Sequence, residues 1–327
     1  MEVTLVLRKS MSNQFSIEKV FNSLHQYFGP QVKRHKSSFY SHGIWNRLRI
    51  IQEITYLGDL VHIAGDITFA NLFIKKSIVT FHDFEFIHRA RGLKRFILNL
   101  FWVKLPSKRA TKITVISKAS QEALFDLVDI PKNKVNLIYN PITIGKKSAP
   151  LKNLKFAINS FVFCIGTKAN KNLETVIEVT QSNHINLVIL GDLSKKQQSL
   201  LKNDSTFQNF TNVSEKHLVY LYQQAALLCF CSFEEGFGLP IIEAQYLDCP
   251  VITSNCSSMP EVAGNGALLV NPNSKEEILK AIKYVFSSEE ARLELVSQGR
   301  KNAKRFAPKE IARQYIDLYN EVFEEKN

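Results

Sequence analysis

Short, almost unbroken apolar runs alternate with helix-length segments along this chain, and they do so twice. In the first half, "VTLVLR" (3–8), "LVHIA" (60–64), "SIVTFHD" (77–83), "KITVIS" (112–117) and "KVNLIYN" (134–140) read as buried strands. A sheet with one wet face alternates apolar and polar residues. Near-continuous apolar strands instead call for a parallel sheet covered on both faces. Segments such as "SIEKVFNSLHQYF" (16–28) and "KASQEALFDLV" (118–128) lie between them and are long enough for crossover helices. Residues 140–155, "NPITIGKKSAPLKNLK", hold two prolines, a glycine and four lysines without a sustained period, and read as a linker. The alternation then restarts with "SFVFCIG" (160–166), a helix from Asn172, "INLVILG" (185–191), a helix near 194–203, "ALLCFCS" (226–232), a helix from Pro240 and "PVITS" (250–254).

A chain of 327 residues holds two such domains, each with its own core. The expected fold class is therefore α/β, with two Rossmann-like domains in tandem. Residues 1–150 form the first domain and 151–307 the second; 308–327 form a closing helix that can pack back on the first. Ligands in such folds lie beyond the carboxyl ends of the strands, so paired domains are expected to face each other across a cleft. The N-terminus "MEVTLVLRKS" reads as a first strand and lacks the basic-then-apolar pattern of a secretion signal. The longest apolar stretches, such as "FILNLFWVKL" (96–105), fall short of a membrane span.

Five cysteines, at 164, 229, 231, 249 and 256, are odd in number and include no CxxC or zinc-ligand spacing. They read as free buried thiols in a reducing cytosol. Charge is unevenly placed. Residues 1–150 hold 23 Lys+Arg and 10 Asp+Glu, a net +13, against a net −1 for the remainder. The asymmetry points to a partner of the first half: nucleic acid, an anionic membrane surface or a phosphorylated substrate.

The stretch "FEEGFGLPIIEA" (233–244) joins a strand to a helix. Gly236 and Gly238 allow close approach of the backbone to a ligand, and Pro240 suits the first helical turn. Amides at a helix start bind phosphate. Glu243 lies about one turn inside the helix, where a carboxylate can accept hydrogen bonds from two neighbouring hydroxyls, as an acid does with ribose in dinucleotide-binding folds. Glu235 lies on the other side of the glycines, on the order of 10 Å away along an extended loop. That separation is long for a pair sharing one proton. It suits an extended ligand with a sugar at each end and phosphate between. A tight turn with acids placed favourably against the helix dipole would account for the same residues.

The run continues as "EEGFGLPIIEAQYLDCPVITSNCSSMPEVAGNGALLVNP" (234–272) and resembles glycosyltransferase family 4, in the GT-B superfamily. The signature is a Glu, seven residues and a second Glu, followed by "CPVITSN", Pro260-Glu261 and "GALLVNP". The resemblance implies a nucleotide-sugar donor and retention of anomeric configuration. It implies that Glu243 binds the donor ribose, that Glu235 lies by the donor sugar, and that the amides of Gly236, Phe237, Gly238 and Leu239 hold the diphosphate. In "CIGTKANKNLETVIEV" (164–179), Gly166 ends a strand, and Lys171-Asn172 match the last two residues of a family Arg-Lys-Asn run in which the Lys meets the phosphates. Asn170 stands where that Arg would be; an upstream family arginine also has no clear equivalent, and Lys168 is the candidate substitute. His82 of "TFHDFEFIHRA" (80–90) matches a family His near the donor sugar, where it can orient hydroxyls or take a proton. Val213 matches the segment that passes the nucleobase, and Ser214 is sufficiently explained as a helix N-cap. The first turn, "RKSMSNQFSIEK" (8–19), lacks the paired glycines of many members, so acceptor contacts are the least transferable part.

"DFE" (83–85) faintly resembles an Asp-x-Asp metal motif, but cationic side chains and helix dipoles occupy the place of a metal in this fold type; neither metal nor cofactor is expected. "HRARGLKRFILNLFWVKLPSKRATK" (88–112) mixes eight Lys/Arg with Phe96, Phe101 and Trp102. It reads equally as a helix lying on an anionic bilayer and as a domain helix with a solvated basic face. Nucleic acid is disfavoured, because no zinc finger, RNP-type motif or paired basic helix is present. The expected protein is a cytoplasmic glycosyltransferase, peripheral on the inner face of the cell membrane, that uses a nucleotide-sugar donor and a saccharide or lipid-linked acceptor in polysaccharide or lipopolysaccharide synthesis. A nucleotide-sugar epimerase on the same fold and a non-catalytic basic binding protein are the rival readings.

Overall fold

The apolar runs do become strands, and every strand pairing is parallel. The computed structural model describes residues 2–9, 16–201 and 205–324. Its contacts divide the chain into two units, residues 1–141 with 307–327, and 142–306.

The first unit contains β1 (Val3–Leu7), β2 (Val32–Lys36), β3 (Leu60–Ile63), β4 (Ser77–Phe81), β5 (Lys112–Val115) and β6 (Val135–Leu137), in the order β2-β1-β3-β4-β5-β6. Its helices are α1 (Ser16–His25), α2 (Ile44–Ile54), α3 (Glu85–Arg89), α4 (Gly92–Leu98), α5 (Leu105–Arg109) and α6 (Lys118–Leu127), with a π-helical segment, Asn99–Lys104, joining α4 to α5. The central strands β3, β4 and β5 are buried at every position. Burial of residues such as Ile63 and Val79 contributes about 1.5–3 kcal/mol each. The edge strand β2, "VKRHK", escapes any apolar template because it faces solvent on its outer side, and its cations discourage edge-to-edge pairing.

The second unit contains β7 (Val162–Ile165), β8 (Leu187–Leu190), β9 (Phe207–Phe210), β10 (Leu227–Phe230), β11 (Val251–Ser254) and β12 (Leu268–Val270), ordered β12-β11-β10-β7-β8-β9. Counted from β7, this is the 3-2-1-4-5-6 order of dinucleotide-binding folds, with its topological switch point between β7 and β10. Helices α7 (Leu173–Ser182), α8 (Lys195–Leu200), α9 (Glu215–Gln224), α10 (Leu239–Tyr246), α11 (Met259–Ala263), α12 (Lys275–Ser287) and α13 (Glu289–Ala303) connect and follow these strands.

The last helix, α14 (Pro308–Glu324), belongs to the first unit. Its apolar face, Ile311, Tyr315, Leu318, Tyr319 and Val322, is buried. Tyr319 Oη lies 2.7 Å from Nδ1 of His62, a fully buried residue of β3 whose Nε2 lies 2.7 Å from Thr80 Oγ1. The segment expected as a linker, 140–155, holds no helix or strand, and the boundary between the units falls in it at Pro141/Ile142. Ile142 and Ile144 are buried, and Ile142 N donates to Phe306 O at 2.9 Å.

Candidate active site

The loops that leave β7 and β10 meet at the switch point of the second sheet. After β7 the chain passes Gly166 (φ 90°), the exposed Lys168 and a single 3-10 turn, Ala169–Lys171. The Lys171 stem lies across Gly166 so closely that a Cβ there would sit 3.1 Å from Lys171 Cε. Asn172 takes a left-handed conformation (φ 54°), is buried, and donates from Nδ2 to Pro272 O at 2.7 Å. It therefore ends the loop and starts α7 at a fixed point.

After β10 comes the acid and glycine turn. Lys171 Nζ lies 2.6 Å from Glu235 Oε1, an ion pair that is largely buried and stands 4.7 Å over the Phe230 ring. Residues 64 positions apart are thus brought into direct contact. Gly238 (φ 104°) is the left-handed N-cap of α10 and allows the reversal into Leu239 and Pro240. Phe237 is buried edge-on against Phe306, ring centroids 5.7 Å apart, and anchors the turn. In the first turn of α10, Leu239 supplies an amide at the helix start, Pro240 has none, and Ile241 N donates to Gly238 O at 3.0 Å.

Glu243 is buried one turn into α10. Thr143 Oγ1 donates to its Oε1 and Tyr222 Oη to its Oε2, both at 3.1 Å. Burial and this carboxylate push the Tyr222 hydroxyl well above the ordinary tyrosine pKa, so it stays a donor. Val213 is half-buried in the loop between β9 and α9, directly before the Ser214 cap, whose Oγ accepts from His217 N at 3.3 Å.

Two serines that hold the acid and glycine turn, Ser257 and Ser258, are not marked as site residues by the sequence pattern. Ser257 Oγ accepts from Glu235 N and donates to Glu235 O, at 3.2 and 2.9 Å. Ser258 Oγ lies 2.8 Å from Phe237 O, and Asn170 Nδ2 donates to Glu234 O at 3.0 Å. These three clamp the backbone of the turn that carries Glu235. The doubled serine in "NCSSMPE" was the available signal, but nothing local in it points to a loop 22 residues away.

His82 belongs to the first unit, at the carboxyl end of β4. Its Nε2 lies 2.9 Å from Ala64 O. A carbonyl only accepts, so Nε2 carries the proton and Nδ1 is the acceptor of the neutral ring. Beside it, at the ends of β1 and β3, Arg8 pairs with Asp66 and with Glu18, the latter at 3.2 Å. All five cysteines are free thiols, four of them buried. Among the described residues no group of three or more His, Cys, Asp or Glu side chains could hold a metal ion.

Two family models match the chain in succession: Glycosyltransferase Family 4 over residues 2–146, and Glycosyl transferases group 1 over residues 152–302. Among characterised proteins, the O-antigen chain mannosyltransferase RfbU of Salmonella typhimurium is 27% identical over 223 residues, covering 65% of this chain and 61% of that protein. The O-antigen chain mannosyltransferase B of Escherichia coli is 24% identical over 270 residues, covering 75% of this chain and 70% of that one. Among solved structures, Anabaena Alr3699/HepE in complex with UDP superposes with a TM-score of 0.80 at 15% identity, over 98% of this chain and 100% of that one. With one model taking each half, and with the strand orders found here, the chain belongs to glycosyltransferase family 4 and has the GT-B fold.

Proposed function

We propose that the second unit binds a nucleoside diphosphate-sugar and that the chain transfers the sugar, with retention of anomeric configuration, to a saccharide or lipid-linked acceptor taken by the first unit. The product would be a cell-surface polysaccharide or lipopolysaccharide, made at the cytoplasmic face of the membrane. The names of the two O-antigen mannosyltransferases support that product class. The observation that carries the reading is the Lys171–Glu235 pair, set at the switch point beside the N-terminus of α10.

In this reading Lys171, with the amides of Gly236, Phe237, Gly238 and Leu239, receives the departing diphosphate, and Lys168 adds charge at the rim. Fixed cations and amide dipoles aimed at a leaving anion are a large source of rate enhancement. Glu235 holds the sugar and favours positive charge developing at its anomeric carbon. Glu243, oriented by Thr143 and Tyr222, takes the ribose hydroxyls. Gly166 and Asn172 fix the Lys171 loop, the Val213 backbone meets the base, and His82 Nδ1 orients a sugar hydroxyl.

The test is a thermal-shift screen with UDP-, GDP-, ADP- and dTDP-sugars, followed by a transfer assay with the best donor. A donor at 100 times its dissociation constant stabilises by about 2.7 kcal/mol. The absence of any stabilising nucleotide would refute the reading. So would transfer that persists when Lys171→Ala, Glu235→Gln and Glu243→Ala are combined, or conversion of the donor without an acceptor.

A further inference from the structure

Helix α4 and the π-helical segment after it carry an apolar stripe that points the wrong way for a domain helix. Leu93, Phe96, Ile97, Leu100 and Phe101 fall at i, i+3, i+4, i+7 and i+8, the spacing of a face made for burial. Yet α4 buries no residue. Leu93 is 74% exposed and Phe96 64% exposed, and Ile97 and Phe101 are also open to solvent. The inward contacts of this stretch are made by other residues, Trp102 and Val103 among them.

A second exposed apolar group lies on a neighbouring element. The start of α2 presents Ile44, Trp45 and Leu48, with Trp45 74% exposed. Arg47 of α2 stacks over the Trp102 ring at 4.6 Å, which ties α2 to the π-helical segment. Exposed cations flank both groups in the chain: Arg49 on α2, Arg91, Lys94 and Arg95 at and within α4, and Lys104 at the end of the π segment. Between Glu85 and Glu122 the chain has nine Lys/Arg and no acid.

We propose that this face of the first unit docks on an anionic lipid bilayer, with the stripe 93–101 and the tip of α2 entering the headgroup region and the flanking cations meeting lipid phosphates. Charge decides among the occupants. A second copy would bring two acid-free, cationic faces together. A nucleic acid would match the cations but leave Leu93, Ile97 and Ile44 without a role. An interfacial apolar stripe flanked by Lys and Arg matches a lipid surface on both counts. Among the described residues no helix is long and apolar enough to cross a membrane, so the attachment is peripheral. The inference makes the membrane side of the proposed function specific, but it needs no assumption about donor or acceptor.

The experiment therefore uses the full chain, without substrates. Co-sedimentation is measured with neutral phosphatidylcholine vesicles and with vesicles containing phosphatidylglycerol, alongside tryptophan emission. Binding is expected only to the anionic vesicles, with a blue shift that disappears in Trp45→Phe. A cation near such a surface contributes about a fivefold factor, so Lys94→Gln with Arg95→Gln weakens binding about 25-fold at low salt. Phe96→Ser with Phe101→Ser weakens it at least about tenfold while the melting temperature is kept, because both side chains are exposed. Equal binding to neutral vesicles, binding to neither, or unchanged binding by both double variants would overturn the proposal. Self-association in sedimentation velocity that the same variants abolish would assign the face to a second copy and overturn it as well. Loss of donor binding leaves every one of these outcomes unaffected.

Discussion

Replacing Lys171 by Met separates what the Lys171–Glu235 pair does for the fold from what it does for the reaction. The two charges are 2.6 Å apart, with side chains 20% and 12% exposed. Removing one partner of a fully buried pair costs about 3–5 kcal/mol, whereas an exposed pair contributes about 0–1 kcal/mol. This pair lies between, so Lys171→Met is expected to cost about 1–3 kcal/mol, chiefly through the Glu235 carboxylate left behind. Adding Glu235→Gln neutralises that carboxylate, so the double variant should recover about half or more of the loss. Activity should not recover. On the proposed roles, loss of the cation at the departing diphosphate costs about 10²–10³ in kcat, and the double variant also loses the carboxylate proposed to meet the sugar. Urea denaturation and transfer kinetics on the four proteins of the cycle make the comparison. Lys171→Met with kcat/KM within threefold of wild type would show that the pair is a structural brace. A double variant that regains activity along with stability would refute the assigned roles.

Three further outcomes follow from the geometry. Gly166→Ala places a Cβ at φ 90° and against the Lys171 stem, so nucleotide affinity measured by calorimetry should fall about tenfold or more, with a lower melting temperature; unchanged affinity would free Lys171 from its fixed path. Tyr222→Phe removes one of the two hydroxyls orienting Glu243 and should raise the donor KM about tenfold with little change in kcat, whereas loss of kcat alone would contradict a ribose-binding Glu243. Burial, with a smaller contribution from His82, lowers the His62 pKa from 6.5 to about 3, so the unfolded chain binds a proton that the folded chain refuses. Stability is then full above pH 6.5 and declines as pH falls toward 3, by about 2 kcal/mol at pH 5. Denaturation of His62→Gln should show a flatter pH slope than wild type across that window, and an identical slope would disprove the linkage.

What could be read in the sequence was what is local. Strands such as β10, "LLCF", and β11, "VITS", are buried at every position and declare themselves by composition. The glycine–acid turn declares itself because its chemistry lies within twelve residues. Edge strands do not. β9, "FQNF", is half-buried throughout and carries two amides, so no apolar run marks it. Contacts set by strand order are equally hidden. Thr143 and Tyr222 reach Glu243 from 100 and 21 residues away, and Thr143 sits in a segment whose composition argues for a linker. The outward apolar face was half legible. Its basic and aromatic content at 88–112 was plain, but its direction was not, and α2 joins it through the stacking of Arg47 on Trp102.

The two units also differ in how they use the same topological feature. Each sheet has a switch point, between β1 and β3 in the first and between β7 and β10 in the second, and at each a cation meets carboxylates. In the first, Arg8 is gripped from two sides: by Glu18, itself largely buried, on α1, and by Asp66 after β3. A Cβ on Gly65 would come within 3.1 Å of the Arg8 backbone nitrogen, so the two loops lie in close contact. A guanidinium committed to two carboxylates is a cross-tie. In the second, the Lys171 ammonium has one carboxylate partner and lies beside a left-handed glycine and the start of α10. An arriving diphosphate could draw that ammonium away and meet helix amides at the same place, while the released Glu235 turns to the sugar. The same point in the two topologies thus holds a doubly paired cation in one unit and a singly paired one in the other. That asymmetry supports the proposal that the second unit takes the donor.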